Sequence, residues 1–333
     1  MSREVVCRAS PSLALVKYWG KKPGRGNRPA TPSLAVTLGG ITTETRVRLA
    51  PAHGHTDTVV LNGQTQPPER FRPFFESLRR RVRRRSSAQG DLPFFDVDSR
   101  NDFPSAAGLA SSSSGFAALA LGCSRAAGLE LSVRELSALA RLGSASAARS
   151  LFGGFTLLPA GGRSARQLHP PQHWPELRIL VVVVSEQAKP ISSRRAMEAT
   201  RGSSPYYRAW LRDAAALLPR ALEALRRRDL EALGEAALVS YSRMHAAMIA
   251  AGPPVLYWLP GTVAAIHECR RLRAEGIGAW ETLDAGPQVK ILCLAPDVAA
   301  IAERLRRLPE LGPSVRLLEA RPGEGPVCGV TGE

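Results

Sequence analysis

The sequence has no closely spaced cysteine pair, no long apolar run and almost no lysine, and each shortage removes a class of function. Its five cysteines, Cys7, Cys123, Cys269, Cys293 and Cys328, are scattered over 333 residues without a CxxC. An odd number at this density argues against a disulfide scaffold and a clustered zinc site, and predicts buried core thiols. The longest apolar run, 179–184, fits one buried strand and falls far short of the ~18 residues that a membrane span requires. The opening stretch MSREVVCRASPSLALVKYWGKK lacks the basic, apolar, small-residue order of a secretory signal. A cytoplasmic chain with no membrane partner is the expectation.

Acidic residues are also scarce: 29 against 45 basic ones, for a formal charge of +16. The densest source is the arginine-rich stretch 79–85. It has no interleaved aromatics and belongs to no recognisable nucleic-acid module, so a solvated helix end is expected and a nucleic-acid partner is not. A small anionic substrate accounts for some positive charge near a site, but not for all of it. Only Lys17, Lys21, Lys22, Lys189 and Lys290 break the preference for arginine. A compact ammonium is not replaced geometrically by a guanidinium fork, so these five positions are worth following.

What is present reads as a globular α+β chain, with 44% hydrophobic and 22% charged residues. Branched apolar runs at 5–18, 33–49, 178–185, 279–283, 289–294 and 313–319 predict strands. Asn62-Gly63 predicts a tight hairpin after a short strand at Thr58–Leu61. Helical periodicity covers 69–85, 205–227 (with Pro219 expected to kink it), 229–249, 261–275 and 297–308. Ser132 and Glu135 form a capping box ahead of a helix at 133–142. The stretch 161–177, rich in Gly, Pro and His, reads as loop.

Three segments could carry chemistry. The first is 104–115, PSAAGLASSSSG, where small residues let backbone N–H groups approach an anion at a helix N-terminus. It matches neither a P-loop nor a dinucleotide motif, and serves equally well as a helix-packing face. The second joins 10–22 to 143–150: Lys17, Tyr18 and Lys21 offer donors, Ser144 and Ser146 hydroxyls, and Arg149 a fork suited to a carboxylate. Ordinary packing with surface charge is the alternative. The third is Asp284-Ala-Gly-Pro287. An aspartate leaving an apolar strand can face a cleft, or simply bond its own turn.

Taken together, SLALVKYWGKK (12–22), PSLAVTL (32–38), NDFPSAAGLASSSSGFAALAL (101–121), RLGSASAARSLFGGF (141–155), the 183–193 loop with Met197, and DAGPQVK (284–290) resemble the diphosphomevalonate decarboxylase family, in its order and spacing. That family belongs to the GHMP kinase superfamily. The resemblance implies a ribosomal-protein-S5-like N-terminal region (1–185) carrying an ATP phosphate loop. A C-terminal α/β-sandwich region (186–333) would carry the catalytic aspartate, with the active site in the cleft between them. By the same resemblance, Pro104, Ser105, Ala106, Ala107, Gly108, Leu109, Ala110, Ser111, Ser112 and Ser113 would bind ATP, with Ser112 near magnesium. Asp284, Lys17 and Arg149 would be catalytic. Tyr18, Lys21, Ser144, Ser146, Arg149, Ser192 and Ser193 would hold the substrate.

The implied reaction is ATP-dependent decarboxylation of mevalonate 5-diphosphate to isopentenyl diphosphate, with ATP and Mg2+ required, and a homodimer is a common state of relatives. Three positions depart from the family pattern: Gln288 for asparagine, Ala145 for glycine, and Pro32 for serine or asparagine. They raise a second reading, a decarboxylase acting on mevalonate 5-phosphate.

Overall fold

Apolar alternation sorts the chain into two sheets in the computed structural model, which describes residues 4–24, 26–50, 56–85, 93–103 and 111–331. The first sheet is built from β1 (Glu4–Ala9), β4 (Thr43–Leu49), β5 (Thr58–Leu61), β6 (Gln64–Thr65), β7 (Phe95–Asn101) and β14 (Val327–Thr331), in the order β14-β1-β4-β7-β5-β6. The helices α1 (Arg72–Arg85), α2 (Ser111–Ala126) and α3 (Val133–Gly143) belong to the same layer. Phe74, Phe75 and Leu78 lie along one stripe of α1 and are buried with Phe95, Phe116, Cys7 and Val47.

The second sheet runs β11-β12-β10-β13-β3-β8-β9, with β2 paired to β3. Its strands are β2 (Ser12–Val16), β3 (Ser33–Gly39), β8 (Phe155–Leu158), β9 (Arg166–His169), β10 (Leu177–Val183), β11 (Trp280–Leu283), β12 (Val289–Leu294) and β13 (Arg316–Pro322). The helices are α4 (Ser193–Ser203), α5 (Tyr207–Arg227), α6 (Leu230–Ile249), α7 (Pro260–Ala274) and α8 (Val298–Arg306). β10 shows why the 179–184 run is continuous rather than alternating. Ile179 and Val181 pack towards α5 and α6, while Leu180 and Val182 pack towards α7 and α8. A strand covered on both faces needs apolar residues at every position.

The two ends of the chain interlock. β13 pairs with β10 and then with β3 through Arg321↔Gly39 and Pro322↔Leu38, and β14 returns to pair with β1. A Cβ on Gly39 would sit 2.9 Å from the Gly323 Cα, so glycine is required at that crossing.

Most elements fall where periodicity places them. Asn62 and Gly63 both take positive φ at the β5–β6 hairpin. The Ser132 hydroxyl accepts from the Glu135 N–H while the Glu135 carboxylate accepts from the Ser132 N–H. α5 runs through Pro219, which lies on an exposed face. Three elements were not anticipated. β9 lies inside the expected loop, β14 is a short C-terminal edge strand, and α4 is a separate helix ahead of α5.

The cysteine expectation needs one correction. Cys123, Cys269 and Cys293 are buried thiols, but Cys7 and Cys328 are register partners on β1 and β14 and form a disulfide. A pair 321 positions apart leaves no local spacing to read. Three of the six arginines in the run have acidic partners within the fold. Arg79 makes a bidentate pair with Asp57, Arg80 lies 3.9 Å from Glu76, and Arg85 pairs with Glu135. Among the described residues no helix is long and apolar enough to cross a membrane.

Candidate active site

β2 is buried along its whole length and delivers Lys17 to the sheet edge with 1% exposure. The Lys17 Nζ donates to the Ala14 carbonyl and to Asp284 Oδ1, both at 2.8 Å. Asp284 leaves β11 at the turn into β12, its side chain 24% exposed, and Lys290 Nζ on β12 stands 3.4 Å from its other oxygen. Burial alone would raise the Asp284 carboxyl, but Lys17, Lys290 and Arg149 outweigh it and hold it well below the usual carboxylate range. Burial works the other way on Lys17, pushing its ammonium down to about 8 against the attraction of Asp284.

Arg149 follows the short 3-10 turn after α3 and is 3% exposed. Its Nη1 donates to Ser33 Oγ at 2.7 Å and its Nε to Ser12 Oγ at 3.4 Å. Among the described residues no carboxylate lies within ion-pairing distance of it, and burial lowers it to about 10. A guanidinium held by neutral hydroxyls keeps its charge available for an anion. Ser112, Ser144 and Ser146 form a chain of hydroxyls at 3.3 and 3.0 Å. The buried Tyr18 hydroxyl has no hydrogen-bond partner among the described residues, and burial raises its phenol.

These groups line one cleft of about 590 Å³. Lys17, Tyr18, Ser111, Ser112, Ser144, Ser146, Arg149, Ser192, Ser193 and Asp284 all contribute to its wall. The N-terminus of α4 opens there at Ser193, capped by the Ser192 hydroxyl. It presents partial positive charge to an anion. Two expected residues lie elsewhere. Lys21 lines an adjoining pocket of about 240 Å³ with Arg194 and Arg201 and donates to Asn27 Oδ1 at 2.7 Å, and Ser113 is buried on the inner side of α2, accepting from the Ser12 N–H. The expected loop residues Pro104, Ser105, Ala106, Ala107, Gly108, Leu109 and Ala110 lie outside the described residues.

Sequence reasoning gave no role to Lys189, Lys290, Ser12 or Arg70. Lys189 donates to Ser193 Oγ at 3.0 Å and to the Ala285 carbonyl at 2.8 Å, and it shares the cleft wall with Ser12 and Arg70. The scarcity of lysine had already singled out Lys189 and Lys290. Arg70, one of forty arginines, carried no such signal. The three departures prove internal: Ala145 and Pro32 are buried, and the Gln288 amide is fully buried against the Val184 N–H and the Ser185 carbonyl.

An N-terminal model described as diphosphomevalonate decarboxylase-like matches residues 9–168, and a mevalonate 5-diphosphate decarboxylase C-terminal model matches 179–315. The chain belongs to the diphosphomevalonate decarboxylase family. It is 33% identical over 323 residues to the diphosphomevalonate decarboxylase of Bos taurus, covering 91% of this chain and 80% of that protein. The structure of MDDEF in complex with MVAPP, AMPPCP and magnesium superposes with a TM-score of 0.88 at 35% identity, over 99% of this chain and 100% of the other. The mevalonate diphosphate decarboxylase from Enterococcus faecalis, in a study of mevalonate diphosphate-mediated ATP binding, gives 0.87 at 35% identity over the same shares. The α+β arrangement is therefore the GHMP kinase fold of the diphosphomevalonate decarboxylase family.

Proposed function

We propose that this chain decarboxylates mevalonate 5-diphosphate at the expense of ATP, giving isopentenyl diphosphate, ADP, phosphate and carbon dioxide. The observation that carries the reading is one ionised carboxylate, Asp284, set between Lys17 and Lys290 in a cleft that also holds the uncompensated Arg149. A tertiary hydroxyl is a poor leaving group, so the 3-hydroxyl is first converted to a phosphate ester. Asp284 accepts the hydrogen bond of that hydroxyl and orients its oxygen along the line of attack. A carboxylate held this far towards its ionised form is a weak base, so orientation is its main work. The proton moves late, as the new O–P bond forms, in keeping with a loose phosphoryl-transfer transition state.

Lys17 keeps Asp284 ionised and steadies charge on the reacting oxygens. Arg149, aimed by Ser12 and Ser33, grips the substrate carboxylate. That grip aligns the breaking C–C bond with the departing C–O bond: phosphate takes the C–O electron pair, and the C–C pair becomes the alkene. The phosphate end of the substrate meets Tyr18, Ser192, Ser193 and the α4 N-terminus, with Lys21 beyond, while Ser144 and Ser146 extend the polar wall. ATP lies with its phosphates towards Ser111 and Ser112 and the preceding residues 104–110.

Magnesium suits this site as an ion carried by phosphate oxygens: the cleft wall offers it the Ser112 hydroxyl rather than a carboxylate cage. When bound it neutralises charge on the transferring phosphoryl group. The reading divides the chain into an ATP-binding region 1–185 and a region 186–333 carrying Asp284. It also takes the protein to be cytoplasmic and a homodimer, the latter testable by light scattering.

The deciding experiment supplies ATP–magnesium with mevalonate, its 5-phosphate or its 5-diphosphate and measures carbon dioxide and ADP. Release of carbon dioxide from the diphosphate is expected. No release from any of the three would refute the reading.

A further inference from the structure

Lys17 and Asp284 meet at 2.8 Å although 267 positions separate them, one on β2 and the other at the β11–β12 turn. Besides the sheet that carries both, α6 is an element that touches each of them. The Ser240 hydroxyl accepts from the Lys17 backbone N–H at 2.8 Å, and His245 Nε2 lies 3.2 Å from the Asp284 backbone carbonyl. We propose that Ser240 and His245 are positioning residues, which use the stiffness of α6 as a ruler to fix the distance between the two reacting side chains. The proposal rests on the reading of Lys17 and Asp284 as the reacting pair.

The chemistry of both anchors is specific. Ser240 is 1% exposed and His245 fully buried. Five residues of α-helix span about 7.5 Å along the axis, a length that does not flex as a loop does. The Asp284 carbonyl also accepts from the Gly286 N–H at 2.9 Å, so two donors hold it in place. Because a carbonyl only accepts, the proton of a neutral His245 ring must sit on Nε2. Burial and the nearby Lys17 charge push this imidazole down to about 3, which keeps it neutral. Among the described residues the buried Nδ1 has no hydrogen-bond partner, and the Tyr241 and Trp258 rings flank the imidazole at 6.1 and 5.3 Å. The one hydrogen bond this ring makes with them therefore goes to the backbone of Asp284. An apolar residue could fill the same space but could not make that bond.

The test uses the full chain carrying Ser240→Ala, Ser240→Thr, His245→Phe, His245→Gln, or Ser240→Ala with His245→Phe, with ADP release measured on mevalonate 5-diphosphate. Loss of either anchor is expected to lower kcat about 10- to 100-fold, with KM for both substrates within about threefold, because a misplaced reacting group costs rate more than binding. Ser240→Thr and His245→Gln, which keep a hydroxyl and an amide donor, should recover most of the loss. The double variant should lose less than the product of the singles, since one broken anchor already frees the pair. Unchanged kcat in folded Ser240→Ala or His245→Phe would overturn the proposal, as would a loss confined to KM or a failure of Ser240→Thr and His245→Gln to rescue.

If Ser240→Ala or His245→Phe prevents folding, nitrogen-15 spectra of the parent decide. A neutral ring protonated at Nε2 from roughly pH 5 to 8 is expected, and an Nδ1-protonated or charged ring refutes the anchor. A parent that turns over none of the mevalonates sinks the functional reading instead, and the histidine spectrum still judges the anchor.

Discussion

Replacing Asp284 by asparagine removes one negative charge at almost constant shape, and the structure lets the consequences be worked through. Lys17 and Lys290, each 1% exposed, are left facing a neutral amide. For catalysis, the loss of the group that orients the attacking hydroxyl predicts a fall in kcat of about 10²- to 10⁴-fold. That corresponds to about 3 to 5 kcal/mol of barrier. For stability, removing one member of a buried ion pair typically costs about 3–5 kcal/mol. Here the cost has an outlet. Lys17 sits at about 8 even with Asp284 beside it, and loses its main attractive partner in the variant, so its ammonium falls lower still.

In the parent, both folded and unfolded chains hold the Lys17 proton below about pH 8, so this group gives no pH slope there. In the variant the folded protein gives up the proton at lower pH while the unfolded chain keeps it to about 10.4, so stability rises with pH by up to about 1.4 kcal/mol per unit across the neutral range. The stabilising share of Asp284 in the parent is complete above the unfolded carboxyl range and does not blur this window. The gap in stability between variant and parent should therefore be widest near pH 6 and narrow towards pH 8. Urea unfolding at pH 6, 7 and 8, with single-turnover ADP release, measures both effects. A variant with parental turnover, or a stability gap that stays constant from pH 6 to 8, would refute the electrostatic reasoning.

Further outcomes follow from the same geometry. Burial holds Lys17 and Lys21 at about 8, and each binds or steadies an anion only while protonated, so kcat/KM should fall as pH rises through about 8. A flat profile to pH 9 would contradict it. Arg149→Lys keeps the charge but loses the fork aimed by Ser12 and Ser33, so carbon dioxide release should drop by about 10²-fold, with rapid-quench analysis for phosphorylated intermediate showing which step slows. Unimpaired turnover in Arg149→Lys would show that the substrate carboxylate is gripped by some other group. Gln288→Ala leaves the half-buried Val184 N–H without its side-chain acceptor, so about 1 kcal/mol of stability should be lost by urea titration. Because Gln288 is turned into the protein, the preference for the 5-diphosphate over the 5-phosphate should not change. A swap of preference would show that this residue reaches the substrate after all.

Asp284 marks the limit of what residues in isolation can say. A strand-end aspartate before Gly-Pro is a good turn former, and nothing local separates that role from a catalytic one. Indeed its backbone carbonyl does close the turn onto Gly286, while its carboxylate faces Lys17. The turn is closed by the backbone, which leaves the carboxylate available for the role proposed for it. The ordered set of segments from 12 to 290 made the site legible because it combined positions that local reading treats separately. Elements with strong periodicity were legible for a simpler reason, since the stripe of α1 and the doubly buried β10 are written in the order of their residues.

What stayed hidden has one physical feature in common: the partner is distant in sequence and the local pattern is ordinary. β14 and its Cys328 have meaning only beside β1 and Cys7. Ser240 and His245 are buried positions of α6, where a serine and a histidine look incidental until Lys17 and Asp284 are brought to them. Scarcity came nearest to exposing such residues. Three of the five lysines lie within reach of Asp284 or its turn, in a chain that otherwise uses arginine. The anchors on α6 follow the same logic from the other side, because polar side chains buried without solvent need a bonding reason to be there. Here that reason is the geometry of one ion pair.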